Sequence, residues 1–293
     1  MAAPEGPGVG GPGVEDRPTS PAPARQARRP DGAWVLTVAN QKGGVGKTTT
    51  AVSVAAALPE AGWRILLLDL DPQANATSGL GVRVQPGQPT IYDVLVDGLD
   101  AHEAITPSPV PNLSVLPASI DLAGAEIELV SALSREQQLR RALEPVRRDF
   151  DLVLIDCPPS LGLLTINGLS ACHGILIPIQ CEYYALEGLG ALRRTVDLIR
   201  ANLNPGLSIL GFVMTMLDGR TRLGQQVIDE VRAHFGALVL QTRIPRTVRL
   251  AEAPSFGQPI TVFDPTSRGA MAYRRLAREL LERLAGVSAS ATG

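Results

Sequence analysis

Lysine is nearly missing from this chain. Of its 27 Lys and Arg residues, only Lys42 and Lys47 are lysines, and both lie in "NQKGGVGKTTT". Aromatic residues are scarce at 4%, so the core must be built from aliphatic side chains and alanine, which the 45% hydrophobic content supplies in quantity. No apolar run approaches the roughly 18 residues needed to cross a bilayer, which excludes a membrane-spanning helix. The first residues lack the basic-then-apolar pattern of a cleaved leader, and a cytoplasmic protein is expected. The three cysteines, Cys157, Cys172 and Cys181, are odd in number and form no C-x-x-C. That pattern excludes a disulfide framework and a zinc signature, leaving small buried thiols as the expected role.

What is present is unevenly charged. The net charge is −2, yet from Asp218 to Ala285 11 arginines stand against 7 acidic residues. An anionic partner on the C-terminal part is one explanation, and a solvated arginine-rich surface is the other.

Residues 1–32, "MAAPEGPGVGGPGVEDRPTSPAPARQARRPDG", are dominated by Gly, Pro and Ala without apolar periodicity, and a disordered tail is expected there. From residue 33 to 286 a single domain is expected, followed by a flexible end at 287–293. Within the domain, "WVLTVAN", "RILLLDL", "LSVLP", "DLVLIDC", "GILIPIQ" and "LSILGFVMTM" are continuously apolar, the pattern of strands buried on both faces. Helical patterns cover Thr48–Glu60, Ser134–Arg148, Leu161–Ala171, Leu186–Asn202 and Thr221–Phe235, with a last one at 267–286. Strand and helix in alternation predict a doubly wound α/β domain, a mostly parallel sheet with helices on both faces.

"GGVGKTT" follows the first predicted strand and opens the first predicted helix, the setting of a phosphate-binding loop. Glycines let backbone N–H groups close around phosphate oxygens, and the helix N-terminus adds partial positive charge. The usual pattern has a glycine where Gln41 stands; the remainder fits a deviant form, K-G-G-x-G-K-[ST]. Lys42, Gly43, Gly44, Val45, Gly46, Lys47, Thr48 and Thr49 are therefore the candidate nucleotide contacts. Lys47 must reach the β- and γ-phosphates as a compact ammonium, which explains why arginine does not replace it. Lys42 comes too early in the loop to share that role, so its expected target is the nucleotide of a second, facing subunit. The hydroxyl of Thr48 is placed for Mg²⁺, and Asp156, ending "DLVLID", is placed to hold the same ion. Asp71, just past the second strand, is the candidate to orient the attacking water, with Asp69 as its competitor.

These residues resemble the ParA family of chromosome and plasmid partition ATPases, in the chromosomal branch often called Soj, within the group that includes the MinD-type ATPases. The resemblance extends through "LAGAEIELV", "LIDCPPSLGLLTINGL", "PIQCEYYALEGL", "MTMLDGRTRLGQQVIDEV" and "IPRTVRLAEAPSFGQPI". It implies an ATP- and Mg²⁺-dependent sandwich homodimer that binds DNA without sequence preference at the nucleoid. Basal hydrolysis is expected to be slow, and stimulation by a ParB-like partner is expected to release the DNA. By the same resemblance Lys42 acts across the dimer, Asp71 is the hydrolytic aspartate, and Pro245 and Thr247 fall on the adenine side. Relatives commonly carry asparagine where Thr247 stands. Arg220 and Arg249 fall at the DNA-binding positions, with Arg222 and Arg246 beside them.

Two other readings are open at this stage. A MinD-like membrane-associated ATPase would use a terminal amphipathic helix, and "SRGAMAYRRLARELLERLAG" carries an apolar stripe at Tyr273, Leu276, Leu280, Leu281 and Leu284. Its glutamates and lack of Phe or Trp favour docking on the domain, and no stable membrane insertion is expected. An iron–sulfur carrier would need paired cysteines, for which the spacing gives no support.

Overall fold

The computed structural model describes residues 32–182 and 187–290. The expected tail, apart from Gly32, lies outside the described residues, as do 183–186 within "PIQCEYYALEGL" and the final 291–293.

Among the described residues eight strands form one sheet: β1 (Trp34–Val38), β2 (Ile65–Asp69), β3 (Thr106–Pro107), β4 (Leu113–Leu116), β5 (Leu152–Asp156), β6 (Gly174–Gln180), β7 (Ser208–Leu217) and β8 (Val239–Pro245). Their order is β3-β4-β2-β5-β1-β6-β7-β8. Every pairing is parallel except that of β3, a two-residue edge strand antiparallel to β4. The parallel strands therefore present their carboxyl ends at one edge, and the chain reverses its direction of travel across the sheet around β1. That switch point is where doubly wound folds bind ligands.

Successive strand residues feed opposite faces. Val35, Leu66, Leu68, Val153 and Ile155 enter one core, while Leu36, Ile65, Leu67, Leu152 and Leu154 enter the other. This is why the strands read as unbroken apolar runs. The first core is closed by helices that include Leu163–Ala171, Glu187–Asn202 and Arg222–Phe235. The second is closed by Lys47–Ala57 and the terminal helix Arg268–Ser290.

That terminal helix runs past the expected end of the domain, to Ser290. Tyr273, Leu276, Leu280 and Leu284 are all buried in the second core. The Tyr273 hydroxyl meets Thr50 Oγ1 at 3.3 Å, and Arg274 Nε pairs with Glu60 at 2.7 Å, joining the helix to the phosphate-loop helix and to the 3₁₀ turn Leu58–Ala61 that follows it. The apolar stripe is thus already occupied by the protein's own core.

Two expectations are corrected. The single helix over Ser134–Arg148 is in fact α-helical only at Gln138–Leu143, between 3₁₀ turns at Arg135–Gln137 and Val146–Arg148. Pro145, which lacks an N–H and crowds the preceding turn, stops the helix there. The strand β8 was not predicted: "VLQTRIP" is too polar for a buried run, because it is the edge strand beyond β7.

Candidate active site

The phosphate loop spans the gap between β1 and the helix that begins at Lys47. Gly44 and Gly46 adopt φ of 74° and 85°, a region side-chain-bearing residues disfavour, and the space where a Cβ would stand on Gly43 or Gly44 is open. The result is a concave run of backbone facing outward from a helix N-terminus. Its base is braced from below. Asn40 Nδ2 donates to Pro178 O at 2.7 Å, its Oδ1 accepts from Lys42 N at 3.0 Å, and Thr215 Oγ1 donates to Val45 O at 2.8 Å. Lys47 is buried and curls across the loop, its Nζ donating to Lys42 O at 3.1 Å. Burial lowers its pKa, against which the nearby carboxylates of Asp156 and Asp71 act. Such an ammonium is held, partly desolvated, where a phosphate would be welcome.

Asp156 ends β5 with no exposed surface, and neither carboxylate oxygen has a hydrogen-bond partner of good geometry. Burial, and then the neighbouring Asp69, push its pKa well up, opposed by the hydroxyl of Thr48 and by Lys47. An orphaned buried carboxylate is costly, and a cation offsets that cost. With Thr48 it makes a set of hard oxygen donors. Among the described residues no cluster of three or more His, Cys, Asp or Glu side chains could hold a metal. Two protein groups fit Mg²⁺, which keeps waters and substrate phosphates for the rest of its shell.

Asp69 and Asp71 differ in their surroundings. Asp69 is fully buried, accepts from Thr77 through both amide and hydroxyl, and accepts from Asp71 N at 3.2 Å. Burial raises its pKa to about 6. Asp71 accepts only from Gln73 N at 3.0 Å among the described residues, and its carboxylate keeps capacity for a water.

Pro245 and Thr247 come alongside the loop from the far end of the chain. With Gly46, Thr49, Met216, Leu250 and Tyr273 they line a mainly apolar cavity of about 450 Å³. Thr247 Oγ1 accepts from Leu250 N at 3.3 Å and caps the helix Val248–Glu252.

The three thiols are buried, and burial pushes Cys172 up to about 12 and Cys181 up to about 11. They are not paired with one another.

The family described as "AAA domain" matches residues 33–209. The sporulation initiation inhibitor protein Soj of Bacillus subtilis (strain 168) is 56% identical over 246 residues, covering 84% of this chain and 97% of that relative. The chain belongs to the Soj/ParA family. The chromosome partitioning protein ParA of Myxococcus xanthus (strain DK1622) is 49% identical over 249 residues, 85% of this chain and 88% of that one. Among solved structures, a cobyrinic acid a,c-diamide synthase from Mycobacterium smegmatis with bound ADP and magnesium superposes with a TM-score of 0.74 at 43% identity, covering 85% of this chain and 94% of that one.

The arginines expected from Soj/ParA membership divide into two kinds. Arg220 is exposed in the turn after β7, its backbone N–H donating to Asp218 at 3.0 Å. Arg249 pairs with Glu252 at 3.2 Å and with Asp264 at 3.3 Å, and stacks 5.8 Å from the Phe263 ring. Its charge is already partnered within the chain. Close to Gly219, a recess of about 320 Å³ is lined by Arg243, Arg268 and Arg275, none ion-paired among the described residues. Lys42 rests 3.8 Å from Glu182, both partly exposed, a pairing of the kind worth little. Thr77, Asn40, Thr215 and Glu182 were all missed in the sequence. Their roles depend on partners eight to 170 residues away, and no local pattern marks them.

Proposed function

We infer that this chain is a Mg²⁺-dependent ATPase of chromosome partitioning. In this reading its ATP-bound form is a homodimer that holds DNA without sequence preference in the nucleoid, and hydrolysis stimulated by a ParB-like partner releases it. The observation that carries the reading is the buried, unpartnered carboxylate of Asp156 beside Thr48 and Lys47, in a chain 56% identical to a Soj protein.

The chemistry follows from the placement. Backbone N–H groups of the loop and the Lys47 ammonium face the charge that grows on the phosphate oxygens as the terminal phosphoryl group departs. Asp71 orients the attacking water in line with the bond that breaks. Mg²⁺, when bound, supplies charge neutralisation between phosphate oxygens, and Thr48 and Asp156 are the residues to hold it. Lys42 stands at the exposed rim, loosely tied to Glu182, from where it serves a facing subunit. Arg220, with Arg243, Arg268 and Arg275 lining the recess near Gly219, supports a phosphate-backbone partner, since guanidinium groups that hold no ion pair among the described residues give affinity without reading bases. The MinD-like alternative is less supported, because the terminal apolar stripe is packed into the core.

The test is retention of unrelated DNA fragments with ATP analogue, ADP or no nucleotide, together with ATP turnover over a Mg²⁺ titration. Retention only with the analogue, and turnover lost in Asp156→Asn, are expected. Equal retention in all three states would overturn the nucleotide-gated reading.

A further inference from the structure

The cavity of about 450 Å³ alongside the phosphate loop is poor in groups that could grip a ring. Among the residues lining it Tyr273 carries the one aromatic side chain, and at 1% exposure that ring belongs to the second core. Hydroxyls of the wall are engaged as well. Thr215 Oγ1 donates to Val45 O at 2.8 Å, the Tyr273 hydroxyl meets Thr50 Oγ1 at 3.3 Å, and Thr247 Oγ1 accepts from Leu250 N at 3.3 Å. Much of what remains, Met216, Ile244, Pro245 and Leu250, offers a base apolar contact without a planar partner.

Arg246, between Pro245 and Thr247, lines the same cavity and is exposed. Its backbone N–H donates to Leu217 O at 3.0 Å, which fixes the root of the side chain at the cavity wall. The guanidinium holds no ion pair among the described residues. The arginines on either side of it in sequence are placed differently. Arg243 Nη1 donates to Gln225 Oε1 at 3.1 Å and lines the recess near Gly219, and Arg249 is tied to Glu252 and Asp264.

A guanidinium is planar, weakly hydrated and always charged, and it stacks on the face of a π system where an ammonium cannot lie flat. A nucleotide brings such a face together with the negative charge of its phosphates. An exposed arginine rooted in the wall of a cavity without a free ring therefore supplies the planar partner that the wall lacks. Pro245 lines both this cavity and the arginine recess near Gly219, whereas Arg246 lines the cavity and not the recess. Its place is on the nucleotide side of that boundary.

We propose that the Arg246 guanidinium closes over the face of the nucleotide's base, which makes Arg246 a nucleotide-binding residue and not part of the DNA surface. The inference rests on the ATP reading given above. Because the contact is made to the base, it raises affinity for a nucleoside triphosphate and leaves the hold on the phosphates to the loop and Lys47.

The experiment is calorimetric titration of the full chain, with Mg²⁺ present, by a non-hydrolysable ATP analogue and by inorganic triphosphate, comparing wild type with Arg246→Ala and Arg246→Lys. DNA binding across a salt series at saturating analogue is measured on the same proteins. Arg246 is exposed, so melting temperatures without nucleotide are expected to match wild type. Arg246→Ala is expected to bind the analogue about tenfold more weakly and inorganic triphosphate as wild type does, with Arg246→Lys between the two and the DNA salt slope unchanged in both. An equal loss for analogue and triphosphate places the guanidinium on the phosphates and overturns the base contact. Wild-type affinity for the analogue in Arg246→Ala, or a salt slope shallower by about 0.9, overturns the proposal alone. A wild type that binds neither probe overturns the ATP reading, and the proposal with it.

Discussion

Asp69 accepts two hydrogen bonds from Thr77, from its amide at 2.8 Å and from its hydroxyl at 2.7 Å. That grip makes Asp69 a brace between β2 and the helix Asn75–Gly79, and it leaves Asp71 as the carboxylate available to water. Asp71→Ala is expected to slow ATP hydrolysis by about 100-fold or more while retaining ATP binding. Asp69→Ala is expected instead to destabilise the fold by about 1–3 kcal/mol, because Thr77 loses its buried partner. Single-turnover hydrolysis and urea melts separate the two, and the reverse pattern would exchange the assignments.

The two lysines differ in burial and in partner. Lys47 is buried inside the loop, whereas Lys42 is partly exposed beside Glu182. Lys47→Ala is expected to weaken ATP binding by about two orders of magnitude, matching a charge-assisted hydrogen bond of roughly 3 kcal/mol. Lys42→Ala is expected to bind ATP within a few-fold of wild type yet remain monomeric. Fluorescent-nucleotide titration and sizing with ATP analogue check both, and a dimeric Lys42→Ala protein removes the cross-subunit role.

Arginine substitutions are expected to separate surface from clamp. Replacing Arg220, Arg268 or Arg275 by alanine should weaken binding equally on unrelated DNA and make the salt slope shallower by about 0.9 for each phosphate no longer neutralised. Arg249→Ala, which removes the pairs to Glu252 and Asp264, should lower the melting temperature and loosen the nearby nucleotide cavity, with a smaller change in slope. Filter binding across a salt series decides; an Arg249 variant that changes only the slope would return it to the DNA surface.

His173 gives a pH dependence of defined sign. Its Nδ1 accepts from Val35 N at 2.9 Å, and burial, with Arg147 nearby, lowers its pKa from 6.5 to about 4. The folded form holds the neutral ring, so the unfolded chain takes up a proton below pH 6.5 that the folded chain refuses until about pH 4. Stability from this group is therefore present above 6.5 and lost on acidification through that window, by about 2–3 kcal/mol. His173→Asn, whose oxygen can accept the same bond, should flatten that part of a stability–pH curve measured by denaturant unfolding.

Sequence alone determined the elements whose signal is local. The apolar runs of β1, β2, β5 and β6 specify strands because a strand buried on both faces has no polar position, and the glycines before Lys47 specify a loop because Gly44 and Gly46 take positive φ, which side-chain-bearing residues disfavour. Lys42, Lys47, Thr48, Asp71 and Asp156 stood out because each sits at a fixed offset from such an element. Tertiary structure decided what depends on partners distant in the chain. It locked Asp69 to Thr77, turned Thr247 into a helix cap, tied Arg249 to Asp264, laid the terminal apolar stripe on the core and left Ile127 and Leu133 exposed. The same arginine or leucine is a free surface group or an engaged one according to what folds against it, and no window of neighbouring residues contains that information.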